Sequence, residues 1–246
     1  MKYVFGNWKM YLDFDESNIL ANGMLIEKFN FSKVNLAVFP SALAAREVTM
    51  SLEEEKIETG PQDVTWFPKG GYTGAISAQM FRDIGCKYAL VGHSERRHVF
   101  GETNDEVRKK MEACLEAGLV PVLCIGETEE DKKEDKKNYR LKKQLMKALD
   151  SLDLSDKEII VAYEPVWAIG TGNACNPDEA DETHAWIKSE LKNYSDKEIP
   201  VLYGGSVNSE NVVLYVSRDT VDGVLVGGAS TKLETFLPLI HAVEEN

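Results

Sequence analysis

A glutamate at the end of a short apolar run is the residue of this sequence best placed for acid–base chemistry. Glu164 follows the strand-like residues 159–163, and Pro165 biases it toward an extended backbone. Residues 165–175 are apolar with alternating glycines, whereas loops normally face water and are polar. This pattern predicts a catalytic carboxylate with a closing lid. The alternative is a capped glutamate after a buried strand, with the loop packed permanently on the surface.

Polar groups recur where other apolar runs end. Asn7 and Lys9 follow the first run, and His93 and Glu95 follow the fourth. Lys9 could present its ammonium to an anionic substrate or lie along the surface on its apolar stem. His93 could donate an N–H to a substrate oxygen or be structural, and Glu95 is a candidate partner of Lys9. Cys124, after the fifth run, has no evident base beside it and is interpreted as a packing residue.

Two glycine pairs end the last two apolar runs. One is followed by Ser206, and the other is Gly227-Gly228. Exposed backbone N–H groups at such turns bind phosphate, and the alternative is two tight turns that need glycine for conformational reasons. One carboxylate, one imidazole, one ammonium and a phosphate cradle, with no nucleophile or metal-ligand cluster, suit proton abstraction from carbon next to a carbonyl.

These groups must be positioned by a framework of alternating strands and helices. Apolar strands alternate with helix-period segments about eight times along 246 residues, which predicts an α/β fold, the (β/α)8 barrel, with eight parallel strands inside a ring of helices. No linker divides the chain, so we predict one domain over residues 1–246. A doubly wound open sheet is the alternative, but no GxGxxG follows the first strand. The predicted helices cover residues 16–29, 42–52, 77–84, 105–117, a charged stretch ending near 149, 178–193, 209–216 and 233–243.

Composition restricts the partners. A net charge of −13 disfavours nucleic acid and anionic membranes, and makes a local positive site necessary for an anionic substrate. The four cysteines have no metal-type spacing, and no signal segment or long apolar span is present. We therefore expect a cytoplasmic protein with free thiols, without cofactor or metal.

Taken together, the residues at these strand ends resemble the triosephosphate isomerase family. The resemblance covers essentially the whole chain, through the motifs at residues 6–9, 92–97, 162–172, 203–206 and 225–229. It implies Glu164 as the base, His93 as the electrophile, Lys9 and Asn7 as substrate and enediolate stabilisers, and Glu95 as support. This family is itself the standard example of a glutamate base paired with a neutral histidine under a closing loop.

The resemblance also implies a phosphate site and a lid. Phosphate would be bound by the backbone of four residues, Gly170, Ser206, Gly227 and Gly228. The lid would comprise Pro165, Val166, Trp167, Ala168, Ile169, Gly170, Thr171, Gly172, Asn173, Ala174 and Cys175. The implied reaction interconverts dihydroxyacetone phosphate and D-glyceraldehyde 3-phosphate through an enediolate. The far hinge, residues 173–175, reads asparagine-alanine-cysteine where the family often has lysine-threonine-alanine.

The family is usually dimeric through the loop after the third strand, here running from Gln62 to Gly74. Its apolar residues Trp66, Phe67 and Tyr72 are interface candidates. Ala75 stands where an acid is common and Tyr11 where an asparagine is common, so an ion pair from the partner to Arg96 is expected to be missing. We still predict a homodimer.

Two other functions are compatible with part of this pattern. Another phosphate-binding barrel enzyme, such as a sugar-phosphate epimerase, would share the phosphate site but not this combination of lysine, histidine, glutamate and lid. A non-catalytic phosphometabolite-binding protein would bind ligand without turnover. An isomerase assay separates the three.

Overall fold

The protein is built on one sheet of eight parallel strands that curves into a nearly closed barrel, as predicted. The computed structural model describes residues 1–169 and 174–246. The strands are β1 (Lys2–Asn7), β2 (Val34–Phe39), β3 (Glu58–Thr59), β4 (Tyr88–Val91), β5 (Val120–Ile125), β6 (Ile160–Tyr163), β7 (Val201–Tyr203) and β8 (Gly223–Val226). They are ordered β3-β2-β1-β8-β7-β6-β5-β4. The single domain over residues 1–246 stays a prediction, which this one sheet supports.

The helices of the described residues lie around this sheet. They are α1 (Phe14–Met24), α2 (Ala45–Leu52), α3 (Ala78–Asp83), α4 (Ser94–His98), α5 (Asn104–Ala117), α6 (Glu129–Lys133), α7 (Lys137–Leu149), α8 (Pro177–Leu191), α9 (Val212–Val216) and α10 (Leu233–Glu245). In the part of the chain that the structure covers, no helix combines the length and the apolar character needed to cross a bilayer.

The barrel closes between the two edge strands of this sheet, β3 and β4. The Lys87 N–H donates to the Thr59 carbonyl at 2.9 Å, and the Leu90 N–H donates to the Pro61 carbonyl at 3.0 Å. Because β3 has only two residues, this junction has few hydrogen bonds, and the barrel is nearly rather than fully closed.

Strand side chains alternate between two apolar cores. Val4 belongs to the layer between strands and helices, whereas Phe5 belongs to the barrel interior. The interior is filled by Phe5, Ala37, Phe39, Tyr88, Leu90, Val122, Cys124, Ile160, Ala162, Leu202 and Leu225. Close packing of this interior fixes the spacing of the strand ends, and so of the side chains that follow them.

The charged stretch after β5 differs from the prediction of one helix. It forms α6 and α7, separated at Asp135, whose φ is 54°. Asp131 stabilises the break because its carboxylate accepts both a capping bond from Thr128 and two 3.0 Å hydrogen bonds from Arg140. The exposed Glu129–Lys133 ion pair within α6 is present at 2.7 Å, as its spacing predicts.

The other predicted helices are present, and their observed bounds differ from the predicted ones mainly in where the helices begin and end. The segments predicted from residues 16, 42 and 209 form helices that begin at Phe14, Ala45 and Val212. Before Val212, the Asn208 side chain accepts the N–H groups of Glu210 and Asn211 and so holds a turn in place of the first helical residues.

The start of α8 confirms part of a predicted capping pattern. The Asn176 side chain accepts the Asp178 N–H at 2.8 Å, and Pro177 is the first helical residue. Glu179 does not complete a capping box, and pairs instead with Lys132 at 2.9 Å and Lys137 at 3.5 Å. Burial acts to raise the pKa of Glu179, but the two lysines together lower it.

A buried histidine of α8 predicts acid sensitivity. His184 is fully buried beside the rings of Tyr163 and Tyr203, and burial lowers its pKa to about 3. In the unfolded chain an imidazole titrates near pH 6.5. Between these two pH values the unfolded state binds a proton that the folded state does not. The free energy of unfolding therefore decreases as the pH is lowered, by up to about 1.4 kcal/mol per pH unit.

We expect His184→Gln to lower the free energy of unfolding at neutral pH but to make it fall less steeply below about pH 6.5. Urea unfolding of both proteins at about pH 7.5, 6 and 5, at one fixed protein concentration, measures this. Parallel pH dependences of the two proteins would contradict the assignment.

Candidate active site

Glu164 lies at the carboxyl end of β6 with its carboxylate almost fully buried. Its Oε2 accepts the Ser94 N–H at 2.8 Å, and its Oε1 lies 3.1 Å from His93 Nε2. The backbone is fixed as well, since the Glu164 N–H donates to the Ile125 carbonyl at 2.7 Å. A buried carboxylate whose two oxygens both have hydrogen-bond donors is held in one position.

His93 follows β4 and caps the N-terminus of α4. Its Nδ1 accepts the Glu95 N–H at 3.2 Å. A ring nitrogen that accepts a backbone N–H carries no proton, so the ring is neutral and its proton is on Nε2. That N–H faces Glu164 and points toward the mouth of the barrel. It can therefore donate to an oxygen of a bound substrate without first gaining a proton.

Lys9 is held at the same end of the barrel by contacts with three side chains. Its Nζ lies 2.8 Å from Glu95 Oε1, which confirms the predicted pair. Its backbone has φ 51°, and its N–H donates to Asn7 Oδ1 at 3.0 Å while its carbonyl accepts from Gln62 at 2.7 Å. The left-handed backbone and the side-chain bonds direct the ammonium into the mouth. Only 13% of the side chain is exposed, so Lys9 is not a free surface lysine.

A cavity of about 810 Å³ opens beside these groups, and its lining includes Asn7, Lys9, His93 and Glu95. The glycine pair after β8 reaches the same place, since a methyl group on Gly227 would lie 3.5 Å from Lys9 Nζ. Among the described residues, no atom lies within 4 Å of the place where a methyl group on Gly228 would be. Its backbone therefore borders open space, as a cradle for a phosphate requires.

Ser206, after β7, connects the predicted phosphate site to the predicted lid. Its hydroxyl donates to the Ala168 carbonyl at 2.5 Å. Gly170, together with Thr171, Gly172 and Asn173, lies outside the described residues.

The near end of the predicted lid is anchored on Glu127. Residues Val166–Ala168 form a single 3₁₀ turn. The fully buried Glu127 accepts from the Trp167 indole at 2.8 Å and the Tyr163 hydroxyl at 3.1 Å. Burial raises the pKa of Glu127, and these two hydrogen bonds oppose the rise. Lys132 adds a contact on the other side, with its Nζ 3.8 Å from the Trp167 ring centre.

Cys124 packs in the barrel interior beside Glu164. Burial raises the pKa of its thiol well above the usual range, and the negative charge of Glu164 raises it further. The thiol therefore stays protonated, which argues against a nucleophilic role. The four cysteines, Cys86, Cys114, Cys124 and Cys175, are all free and buried. Among the described residues, no group of three or more His, Cys, Asp or Glu side chains could hold a metal ion.

Several groups that build this site were not assigned roles from the sequence. The Ser94 N–H is a backbone donor, which leaves no sequence signal of its own. Gly126 and Gly204 leave the space that Glu164 occupies: a methyl group on Gly126 would overlap the Glu164 carbonyl, and one on Gly204 would lie 2.9 Å from Glu164 Cγ. Arg97 donates to the carbonyls of Gly92 and Cys124, and so joins the ends of β4 and β5.

We expect Gly204→Ala to lower kcat about 10- to 100-fold by displacing the carboxylate, because small misplacement of a reacting group is costly. Steady-state kinetics and thermal melting measure activity and fold. In the Glu164→Gln background the same change should cost little, because the displaced group is already inactive. A full additional loss in the double variant would show that Gly204 acts elsewhere.

Comparison with known proteins places the chain among isomerases. The family model described as Triosephosphate isomerase matches residues 2–243. A protein of that name from Francisella tularensis subsp. novicida is 41% identical over 244 residues, which cover 98% of this chain and 96% of that protein. Another protein of that name, from Dehalococcoides mccartyi, is 40% identical over 240 residues, which cover 96% of this chain and 94% of that protein.

Proposed function

The chain belongs to the triosephosphate isomerase family, and we propose that Glu164 is the base of the isomerase reaction that this membership assigns to it. The reaction interconverts dihydroxyacetone phosphate and D-glyceraldehyde 3-phosphate. The observation that carries the proposal is the buried Glu164 carboxylate, in hydrogen-bond contact with a neutral His93 at the mouth of the barrel.

In the forward step Glu164 takes a proton from the hydroxymethyl carbon of dihydroxyacetone phosphate. The electrons of that C–H bond form the enediolate, and the carbonyl oxygen takes up negative charge. The hydroxyl proton on the first carbon moves to the oxygen of the second carbon, with His93 Nε2 as the carrier. The protonated Glu164 returns its proton to that second carbon, which gives the aldehyde. His93 Nε2–H donates to the substrate oxygens, which lowers the cost of charge development. Such a base contributes about 10²–10⁴-fold and such a donor about 10²–10³-fold.

Lys9 and Asn7 stabilise the anionic substrate and the enediolate. The support is the location of the ammonium between Glu95 and Gly227, where it provides the local positive charge that a −13 protein needs. Glu95 holds Lys9 in position through the 2.8 Å ion pair. The phosphate is bound by the backbones of Gly170, Ser206, Gly227 and Gly228, for which the open space at Gly228 is the structural support.

Residues Pro165–Cys175 close over the substrate as the lid. The anchoring of Trp167 on Glu127 at one end, with Cys175 buried at the other, supports a lid whose two ends are fixed. Closure excludes water, which strengthens both electrostatic contributions and hinders loss of phosphate from the enediolate.

The active unit is a homodimer joined through the loop of residues 62–74. Phe67 and Tyr72 stack with ring centres 3.7 Å apart, and Tyr72 is 42% exposed. The 810 Å³ cavity beside Lys9 and His93 is large enough to receive a loop of a second copy. Arg96, which was expected to lack a partner carboxylate, pairs within the chain with Asp63 at 3.2 Å and Glu102 at 3.5 Å.

Light scattering across a range of concentrations tests the dimer, with Tyr72→Ser as the weakened variant. We expect twice the chain mass for the wild type and a shift toward the single chain mass in the variant. A single chain mass for the wild type at high concentration would overturn the proposal. We also propose a cytoplasmic location, which the four free thiols support, with no nucleic-acid or membrane partner.

Turnover of D-glyceraldehyde 3-phosphate by the purified protein, with D-ribulose 5-phosphate as the comparison substrate, tests the function. We expect rapid formation of dihydroxyacetone phosphate and no epimerisation of the pentose phosphate. Ligand binding without turnover would indicate the non-catalytic alternative, and turnover of the pentose alone would indicate an epimerase.

A further inference from the structure

The end of β5 is held by β6 on one side, whereas its ladder with β4 stops earlier on the other side. The last residue of β5 that pairs with β4 is Leu123. Beyond it, the Glu164 N–H donates to the Ile125 carbonyl at 2.7 Å, and the Val166 N–H donates to the Glu127 carbonyl at 3.1 Å. Since alternate residues of an extended chain direct their backbone groups to opposite sides, the residue between these two carbonyls faces away from β6. Its buried N–H and carbonyl need partners from outside the sheet.

A glutamine side chain of α7 supplies both partners. Gln144 Oε1 accepts the Gly126 N–H at 2.9 Å, and Gln144 Nε2 donates to the Gly126 carbonyl at 3.1 Å. The glutamine is only 5% exposed. Arg97 donates in a similar way to the carbonyl of Cys124, two residues earlier. Side chains therefore replace β4 as the hydrogen-bonding neighbour of this part of the chain.

Gly126 lies directly against the backbone of Glu164. A methyl group on Gly126 would overlap the Glu164 carbonyl, so the two residues are in close contact. The Glu164 side chain leaves from this same backbone, and its oxygens lie 3.1 Å from His93 Nε2 and 2.8 Å from the Ser94 nitrogen. In a close-packed interior the displacement of one residue is passed to its neighbour. The position of Gly126 therefore determines where the carboxylate lies.

We propose that Gln144 is a positioning residue for the isomerase reaction, which keeps the Glu164 carboxylate in place by holding Gly126. The proposal rests on the role of base proposed for Glu164. Without the carboxamide, the buried N–H and carbonyl of Gly126 lose their partners together, and this segment shifts to find others. Such a shift slows proton transfer, because small misplacement of a reacting group is costly. Lys9 and Gly228 follow other strands, so the binding of the anionic substrate is left unchanged.

Gln144→Met tests the proposal, because methionine has the length of glutamine but neither its donor nor its acceptor. We expect kcat to fall about tenfold while KM stays within a factor of about two, the division that a displaced base produces. In the Glu164→Gln background the same substitution should change kcat less than about twofold. Unchanged kcat in Gln144→Met, or a full additional loss in the double variant, would overturn the proposal.

Leu145→Val is the matched control for a general loosening of α7. Leu145 is the next residue of this helix and is fully buried in the layer between strands and helices. We expect this variant to have a lower free energy of unfolding in urea but the kcat of the wild type, because Gly126 keeps both of its partners. A fall in kcat equal to that of Gln144→Met would show an effect of helix packing and overturn the proposal.

Hydrogen exchange of the wild type provides a test that does not depend on the folding of any variant. The hydrogen bond to Gln144 requires the Gly126 amide to be protected in the unliganded protein. Free exchange of that amide would overturn the proposal. Absence of isomerase turnover in the wild type, or near-normal turnover in Glu164→Gln, would instead contradict the proposed function, so the two failures are distinguishable.

Discussion

Replacing Glu164 with glutamine is expected to lower kcat about 10²–10⁴-fold, the contribution of a positioned general base. Glutamine preserves the shape of the side chain but cannot accept a carbon-bound proton at neutral pH. The Ser94 N–H can still donate to the amide oxygen, so the side chain remains near its native position. Because the phosphate site is untouched, the affinity for 2-phosphoglycolate, a carboxylate that mimics the charge of the enediolate, should be retained.

Steady-state kinetics in both directions measure kcat, and calorimetric titration measures the affinity for 2-phosphoglycolate. Glu129→Gln is the matched control, since it makes the same change in charge on an exposed side chain that pairs only with the exposed Lys133 among the described residues. Near-normal kcat in Glu164→Gln would remove Glu164 as the base.

Replacing Lys9 with methionine is expected to lower kcat/KM about 10²–10³-fold, mainly through weaker binding of the anionic substrate and the enediolate. Methionine retains the apolar stem that packs beside Gly227, and Glu95 is half-exposed, so its carboxylate can be solvated once the ammonium is gone. The variant should therefore fold normally, with a melting temperature close to that of the wild type.

Lys133→Met separates the local from the global electrostatic effect. It changes the net charge by the same amount, but Lys133 is 71% exposed on α6. We expect its kcat/KM to remain within a factor of about two of the wild type, because an exposed charge is screened by salt. Unchanged kinetics in Lys9→Met, or an equal loss in both variants, would reduce Lys9 to a surface charge.

The strand ends were predictable because they obey a simple rule. Apolar runs such as residues 88–91 and 223–226 coincide with β4 and β8, and the residues after them converge at one end of the barrel. Lys9 and Glu95 are 86 positions apart, yet the expectation that they pair is confirmed, since both follow parallel strands. Barrel topology converts order along the chain into proximity.

Other features depend on backbone atoms or on competition between neighbours, which residue types do not report. Glu164 is held by the Ser94 N–H, and its space is left by Gly204. Glu179 had the right position for a capping box, but the two nearby lysines formed the stronger pairing. The pairing of Gln144 with both backbone groups of Gly126 could be recognised only from the fold.

Isomerisation in deuterium oxide tests most directly the claim that Glu164 carries the proton between the two carbons. The wild type should form dihydroxyacetone phosphate from D-glyceraldehyde 3-phosphate with deuterium on the new hydroxymethyl carbon, because the protonated carboxylate exchanges with solvent during the lifetime of the enediolate. In Glu164→Gln both product formation and deuterium incorporation should be lost together. Deuterium incorporation at the wild-type rate in the glutamine variant would contradict the assignment of Glu164 as the base.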